Sequence, residues 1–166
     1  MWDLRATPFD HPDAVRLTAE VQEFYRARYG GEDVTALHPA QFAAPAGYFA
    51  VGYARGVAVA CGGWRARDAT GDDPELRDGD AEIKRMSVSA AYRGRGHARA
   101  VLAELERSAA GAGRRRLILE TGTLQPEAVA LYVSEGYEPV EKFGAYRDEP
   151  NSRCYAKPLP RLAGTR

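Results

Sequence analysis

The stretch RGRGHA, residues 93–98, lies between an alternating run, AEIKRMSVS (81–89), and a longer run with helical periodicity. The first N–H groups of a helix have no intrahelical partner, and the helix dipole favours an anion beside them. Gly94 and Gly96 would allow the backbone to approach such an anion closely, because no Cβ intervenes. A phosphate therefore suits this turn, although the six residues alone leave two alternatives open, a flexible helix start and an arginine–glycine patch for nucleic acid.

Periodicity outside this turn predicts alternating strands and helices. Strands are expected at 2–6, 47–54, 57–65, 81–89, 115–122, 137–143 and 151–159. Helices are expected at 11–29, 98–110 and 126–135, with a short helical stretch near 33–43 that its prolines keep brief. The strand, helix and strand at the centre imply a parallel pair with a right-handed crossover. Alternation in the 81–89 strand predicts one face with Ile83, Arg85 and Ser87 and another with Glu82, Lys84, Met86 and Val88.

Composition restricts the class of protein. The 166 residues predict one domain, 1–166, and a hydrophobic content of 45% with a charged content of 28% is typical of a globular protein. Zero net charge argues against a general nucleic-acid binder, and no apolar run is long enough to span a membrane. Two cysteines and no visible secretory signal predict a cytoplasmic location, and three widely separated histidines predict no metal site.

Two common phosphate-binding motifs are absent around the glycines. There is no GxxxxGK[ST] sequence, and GxGxxG fails because Arg99 stands where the third glycine would be. The stretch instead resembles the pyrophosphate-binding motif R/Q-x-x-G-x-G/A of the GNAT N-acetyltransferase superfamily, matched by Arg93, Gly96 and Ala98.

A second motif supports the same resemblance. The family's helix motif N-x-x-A-x-x-L-Y-x-x-x-G-F/Y is matched by Ala128, Leu131, Tyr132, Gly136 and Tyr137, with Gln125 where asparagine is common. Residues 81–140 resemble the core of the family in the order of their elements. The resemblance implies an α/β fold of the α+β type: a mixed, mostly antiparallel sheet of about seven strands with a splayed parallel pair, flanked by about four helices.

The resemblance also implies that acetyl-CoA is the cosubstrate. Its pyrophosphate would lie on the backbone N–H groups of the loop, and its pantetheine would pair with the edge of the preceding strand. The cofactor-binding residues implied in this way are Met86, Val88, Arg93, Gly94, Arg95, Gly96, His97, Ala98 and Gln125.

The chemistry implied is acyl transfer from a thioester to an amine by direct attack. Tyr132 matches the position where the family often has a general acid, and Glu82 matches the spacing of a catalytic glutamate in the histone-acetylating branch. Glu82 could instead pair with Lys84 or Arg65, and a water relay is an alternative to a glutamate base.

The acceptor pocket is expected between residues 24–42 and 143–157, with Tyr25, Tyr29, Tyr146, Asp148 and Arg85 as its contacts. Arg85 could bind a substrate carboxylate or only anchor an acidic side chain. We expect a small primary amine as acceptor, such as an amino acid, a polyamine or an antibiotic, and a monomer or homodimer without nucleic-acid or membrane partners. The alternatives are a protein or peptide N-acetyltransferase and a non-catalytic acyl-CoA-binding module.

Overall fold

The computed structural model describes residues 1–161, which form one seven-stranded sheet with helices on both faces. The strands are Trp2–Ala6 (β1), Gly47–Ala54 (β2), Val57–Ala66 (β3), Asp80–Val88 (β4), Arg116–Gly122 (β5), Glu138–Val140 (β6) and Ser152–Pro158 (β7). The helices are Pro12–Tyr29 (α1), His97–Gly111 (α2) and Pro126–Ser134 (α3), with two short 3₁₀ helices at Pro39–Phe42 and Ala90–Tyr92.

The sheet has the order β1-β2-β3-β4-β5-β7-β6, and every neighbouring pair except β4–β5 is antiparallel. The predicted fold class is therefore confirmed. The helix count differs slightly, because the stretch predicted near 33–43 forms only the 3₁₀ helix Pro39–Phe42. Proline cannot donate a backbone hydrogen bond, and prolines at 39 and 45 keep this segment short.

The two parallel strands diverge soon after they begin. Strands β4 and β5 pair only at Asp80–Arg116, Ala81–Leu117 and Glu82–Ile118. Beyond these pairs, β4 stays with β3 as far as Val88, and β5 stays with β7 as far as Gly122. A gap therefore opens inside the sheet between the second halves of β4 and β5.

A β-bulge at Arg85 changes which side chains of β4 share a face. Arg85 has φ of 57°, and the β3–β4 register shifts between Cys61 and Gly63. The bulge adds one residue to β4, so the predicted alternation is wrong beyond Lys84. Arg85 joins Lys84 on the face that carries α1, and both side chains reach the same carboxylate, that of Asp33.

Two apolar clusters fix the helices on the sheet. Helix α2 buries Val101, Leu102 and Leu105 against one face, in a cluster with Trp64 and Ile83. Helix α1 buries Ala14 and Leu17 on the other face, in a cluster with Phe49, Val51 and Cys61. The gap between β4 and β5 consequently has α2 and α3 on one side and α1 on the other. Within residues 1–161, no helix combines the length and the apolar character that crossing a bilayer requires.

Candidate active site

A cavity of about 860 Å³ lies at the gap between β4 and β5. Its wall includes Tyr132 from α3 on one side of the sheet, and Tyr25 and Tyr29 from α1 on the other. The cavity therefore passes through the sheet where the parallel strands separate. This volume lies within the usual range of small-molecule sites, roughly 300–1,000 Å³.

One end of the cavity is formed by the N-terminus of α2. Six consecutive backbone N–H groups, those of residues 94–99, have no acceptor among residues 1–161. The residue that caps α2 is Gly96, which offers no side chain to satisfy them. Free N–H groups in a row at the start of a 15-residue helix make a site for an anion.

The two glycines of this loop have backbone conformations that L side chains rarely adopt. Gly94 has φ of 78° and Gly96 has φ of 82°. A Cβ at either position would meet no protein atom within 4 Å, so the space above the loop is open. The glycines thus permit the turn and also leave room beside the free N–H groups.

The arginine side chains of the loop contribute less directly to the candidate anion site than its backbone N–H groups do. The Nε of Arg93 donates to the Val88 carbonyl at 3.2 Å, and its guanidinium lies over the Phe24 ring. Arg95 lies over the Tyr92 ring and outside the cavity wall, while Arg99 pairs with Glu135. The role predicted for Arg95 stays a prediction.

Other predicted cofactor contacts also lie in the cavity wall. Met86, Val88, His97, Ala98 and Gln125 all line it. The His97 ring stacks on the Trp2 ring, with the ring centroids 4.1 Å apart, and this contact joins β1 to the start of α2. The Gln125 amide donates to the Tyr29 hydroxyl at 3.1 Å, so the residue that departs from the family motif is held by α1.

Tyr132 is buried in the cavity wall. Its ring packs edge-on against Tyr137, and only 6% of the residue is exposed. Burial raises the pKa of the Tyr132 hydroxyl, so it stays protonated at neutral pH. Within residues 1–161 this hydroxyl makes no hydrogen bond, which leaves its proton available to a ligand.

Glu82 lies beside the cavity rather than in its wall. The residue is 1% exposed, and its Oε1 accepts from Arg65 at 3.0 Å and from Arg67 at 2.9 Å. The pairing that the sequence suggested with Arg65 is present, but it is buried and includes a second arginine. Both arginines bind the same carboxylate oxygen of Glu82. The role of Glu82 as the base stays a prediction.

Glu120 is a carboxyl of the cavity wall that sequence reasoning missed. It lies on β5, and burial, followed by the nearby charge of Glu82, raises its pKa to about 7. Its Oε2 accepts the Tyr146 N–H at 3.3 Å. Gly144 makes room for it, since a Cβ at Gly144 would overlap the Glu120 carboxylate. The available signal was one acidic residue directly after the apolar run Leu117–Leu119.

The predicted acceptor contacts Tyr25, Tyr29, Arg85 and Tyr146 all lie in the wall on the α1 side. The Tyr29 hydroxyl lies against Gly122, where a Cβ would overlap it. Asp148 is not part of the wall. The predicted pocket segments 24–42 and 143–157 therefore meet here, and the loop between α1 and the first 3₁₀ helix adds Asp33.

Asp33 organises this end of the cavity. Its Oδ2 accepts from Lys84 at 3.0 Å and from Arg85, while its Oδ1 accepts from the Tyr146 hydroxyl at 3.0 Å and from Thr35. Burial opposes the charged form of Asp33, but Lys84, Thr35 and Arg85 outweigh it and hold its pKa below the ordinary value. Asp33 and Lys84 are further residues that the sequence did not single out as candidates.

Comparison with known proteins agrees with this geometry. The profile of the Acetyltransferase (GNAT) family matches residues 14–137. A protein named IAA acetyltransferase from Azospirillum brasilense is 34% identical over 145 residues, which are 87% of this chain and 90% of that protein.

Two solved structures have the same fold. One is a Klebsiella pneumoniae protein classed with acyl-CoA N-acyltransferases, with a TM-score of 0.75 and 26% identity over 96% of this chain and 98% of that one. The other is a Salmonella typhimurium protein solved with acetyl-CoA, with a TM-score of 0.72 and 12% identity over 100% of this chain and 98% of that one. The chain belongs to the GNAT acetyltransferase family and is an acyltransferase that uses acetyl-CoA.

Proposed function

We propose that this protein transfers the acetyl group of acetyl-CoA to a primary amine of a small molecule, by direct attack of the amine. The observation that carries the proposal is one cavity through the sheet, with a phosphate-suited helix end and Tyr132 on one side and Glu120 on the other. A base and an acid on opposite sides of a gap are what an acyl transfer needs.

The residues present fit acetyl-CoA. The free N–H groups of residues 94–99 and the open space above Gly94 and Gly96 suit a pyrophosphate, and the unpaired half of β4 at Met86 and Val88 suits an extended chain with amide groups. Acetyl-CoA would supply an activated thioester carbonyl at the gap. The protein holds this group and manages the protons around it.

Glu120 is the base in this proposal. With its pKa raised to about 7, about half of its carboxyls are ionised at neutral pH, and a base of this strength can accept a proton from the acceptor nitrogen. The hydrogen bond from the Tyr146 N–H fixes one carboxylate oxygen and leaves the other to accept the proton.

Tyr132 is the acid. Its buried hydroxyl keeps its proton at neutral pH and makes no bond to residues 1–161, so it can donate to the departing sulfur. The acid and the base therefore act at different atoms: Glu120 takes a proton from nitrogen and releases it to water, and Tyr132, which gives its proton to sulfur, regains one from water before the next turnover.

A small acceptor fits the shape of the α1 side better than a peptide. The loop that carries Asp33 is tied across the cavity by the hydrogen bond between Tyr146 and Asp33, and by a further bond from the Val34 N–H to the Tyr146 hydroxyl. These bonds tie together the two segments that line this side of the cavity, which favours a compact acceptor. The name of the Azospirillum relative, IAA acetyltransferase, also supports a small acceptor.

Turnover of acetyl-CoA with a panel of small amines and lysine peptides, followed by release of free thiol, tests the function. We expect activity with small amines, a rise of kcat/KM through about pH 7, and a loss of about 10²–10⁴-fold in Glu120→Gln. Glu82→Gln tests the alternative base. Peptides as the best substrates would contradict the small acceptor, and full activity in Glu120→Gln would favour Glu82 or a water relay.

A further inference from the structure

Two cations at the acceptor end of the cavity share one ion-paired carboxylate, and the charge of one of them, Lys84, also acts on Glu120. Lys84 and Arg85 are both buried, with side chains 10% and 6% exposed, and within residues 1–161 their only ion-pair partner is Asp33. Both bind the same oxygen of that carboxylate. A buried cation without a counter-charge is costly, so a pair of cations that shares one anion favours a second anion beside it.

Several donors of these two side chains remain open. An ammonium and a guanidinium each have several N–H groups, and here each donates only to Asp33. The Nε and Nη2 of Arg85 have no acceptor among residues 1–161, and both Lys84 and Arg85 line the cavity. These donors are therefore accessible to a bound ligand.

The backbone is strained to bring the two cations together. Arg85 has φ of 57°, a conformation that costs a residue other than glycine roughly 1–3 kcal/mol. Without the bulge, Arg85 would project on the face opposite to Lys84. Strain of this kind persists where the surrounding structure requires the resulting geometry. Here the strained conformation places the Arg85 guanidinium beside the Lys84 ammonium in the cavity wall.

Asp33 is held in place rather than free to move away. The Gln22 side chain accepts from the Asp33 N–H and donates to its carbonyl, both at 3.0 Å, and Thr35 binds its other carboxylate oxygen. The aspartate therefore fixes the two cations in position. An incoming anion would use their open donors instead of displacing Asp33.

The open donors and Glu120 are close enough for one small molecule. A single residue, Tyr146, reaches both places: its N–H donates to Glu120, and its hydroxyl donates to Asp33. The two places are therefore about one tyrosine apart. The Ser152 hydroxyl adds a buried polar group in the same wall that has no partner among residues 1–161.

We propose that the acceptor is a small amine that also carries a carboxylate, an amino acid or a short amino-carboxylate, and that Lys84 and Arg85 bind this carboxylate. The inference rests on the proposed function, because it concerns the acceptor of that reaction. It separates the amino acids from polyamines and from amines without an anionic group.

The test compares alanine, methionine and phenylalanine, each with its decarboxylated amine and its carboxamide. The wild type should acetylate at least one amino acid with a kcat/KM at least about tenfold above both analogues, which corresponds to about 1.4 kcal/mol for the carboxylate contact. Lys84→Met should raise KM for that amino acid about tenfold or more, and by at least about tenfold more than it raises KM for its decarboxylated amine. Lys157→Met is the matched control, since Lys157 also pairs with one carboxylate, that of Glu106, but lies outside the cavity wall.

Arg85→Asn tests the second cation, because asparagine tolerates a positive φ better than most residues. Calorimetry of the same compounds with the CoA complex gives a second measurement that does not need turnover, and the amino acid should bind more tightly than its carboxamide. Equal use of amino acids and decarboxylated amines, or equal binding of amino acid and carboxamide, overturns the inference and leaves the proposed function intact. Failure of every amine to be acetylated, with CoA still bound, overturns the proposed function instead.

Discussion

At the scale of single residues, Glu120 is the side chain whose environment matters most for its proposed role. It follows the buried apolar residues Leu117–Leu119 on β5, near the charge of Glu82, and its pKa is raised to about 7. The burial that makes Glu120 a better base also means that its ionised form lowers the stability of the folded state. Its sequence context could not show this, because the neighbouring charge comes from a different strand.

This cost predicts a pH dependence of stability. A carboxyl whose pKa is higher in the folded state stabilises the protein below its unfolded pKa of about 4.5, and this contribution is lost as the pH rises through about 7. Glu120→Gln should therefore raise the free energy of unfolding at pH 8 by on the order of 1–3 kcal/mol, with little gain at pH 4. Urea unfolding at both pH values measures this, with the exposed Glu141→Gln as control. An equal gain at both pH values would be inconsistent with the raised pKa.

Tyr132→Phe removes only a hydroxyl from the cavity wall. We expect kcat to fall by about 10²-fold while the dissociation constant of CoA stays unchanged, because the hydroxyl acts on the leaving group and not on the phosphates. Tyr137→Phe is the matched control, since the Tyr137 hydroxyl donates to Glu106 and lies outside the cavity wall. Steady-state kinetics with calorimetry measures both quantities, and an unchanged kcat in Tyr132→Phe would give this residue a packing role only.

At the scale of elements, the sequence predicted the strands, the helices and the loop before α2, because hydrophobic period and glycine position are local properties. The bulge in β4 was missed. Arg85 adopts a positive φ without any local signal such as glycine or asparagine, and the shift becomes visible only in the register with β3. The ion pairs of Glu82 with Arg65 and Arg67 were seen only in part, because they join β4 to the end of β3 and the residue after it.

The start of α2 gives a prediction about a single Cβ. Gly96→Ala and Gly113→Ala both place alanine at a positive φ, 82° and 80°, where no neighbouring atom lies within 4 Å. Each should lower the free energy of unfolding by about 1–2 kcal/mol. Only Gly96→Ala should raise KM for acetyl-CoA, by about tenfold or more, because its Cβ enters the space beside the free N–H groups. Equal KM values in the two variants would contradict the proposal that this loop binds the phosphates of acetyl-CoA.

At the scale of the whole molecule, the sheet is divided where its ligand is expected. Strands β1 to β4 and strands β5 to β7 are joined along only three residue pairs, together with the helices that cover both faces. A ligand that contacts the loop after β4 and the wall on β5 would connect the two parts. Sequence alone predicted the parallel pair but not how early its strands separate.

CoA should therefore stabilise the whole fold. At a concentration of about 100 times its Kd the expected gain is about 2.7 kcal/mol, which corresponds to a rise in Tm of roughly 5–10 °C for a domain of this size. Thermal unfolding with and without CoA measures this rise. At one fixed CoA concentration, Gly96→Ala should show a smaller rise than Gly113→Ala, and the absence of any rise in the wild type would contradict the site.

The place of β7 in the sheet affects the order in which the protein can become active during its synthesis. This strand emerges after β6 yet inserts between β5 and β6, and its residue Ser152 contributes to the cavity wall. Until β7 has left the ribosome, β5 has no partner on that side, and the edge it presents is one that other chains can pair with. A nascent chain thus passes through a stage in which the helix end for the anion can already form while the acceptor side cannot, so chaperone contact is expected to matter most before β7 has paired with β5.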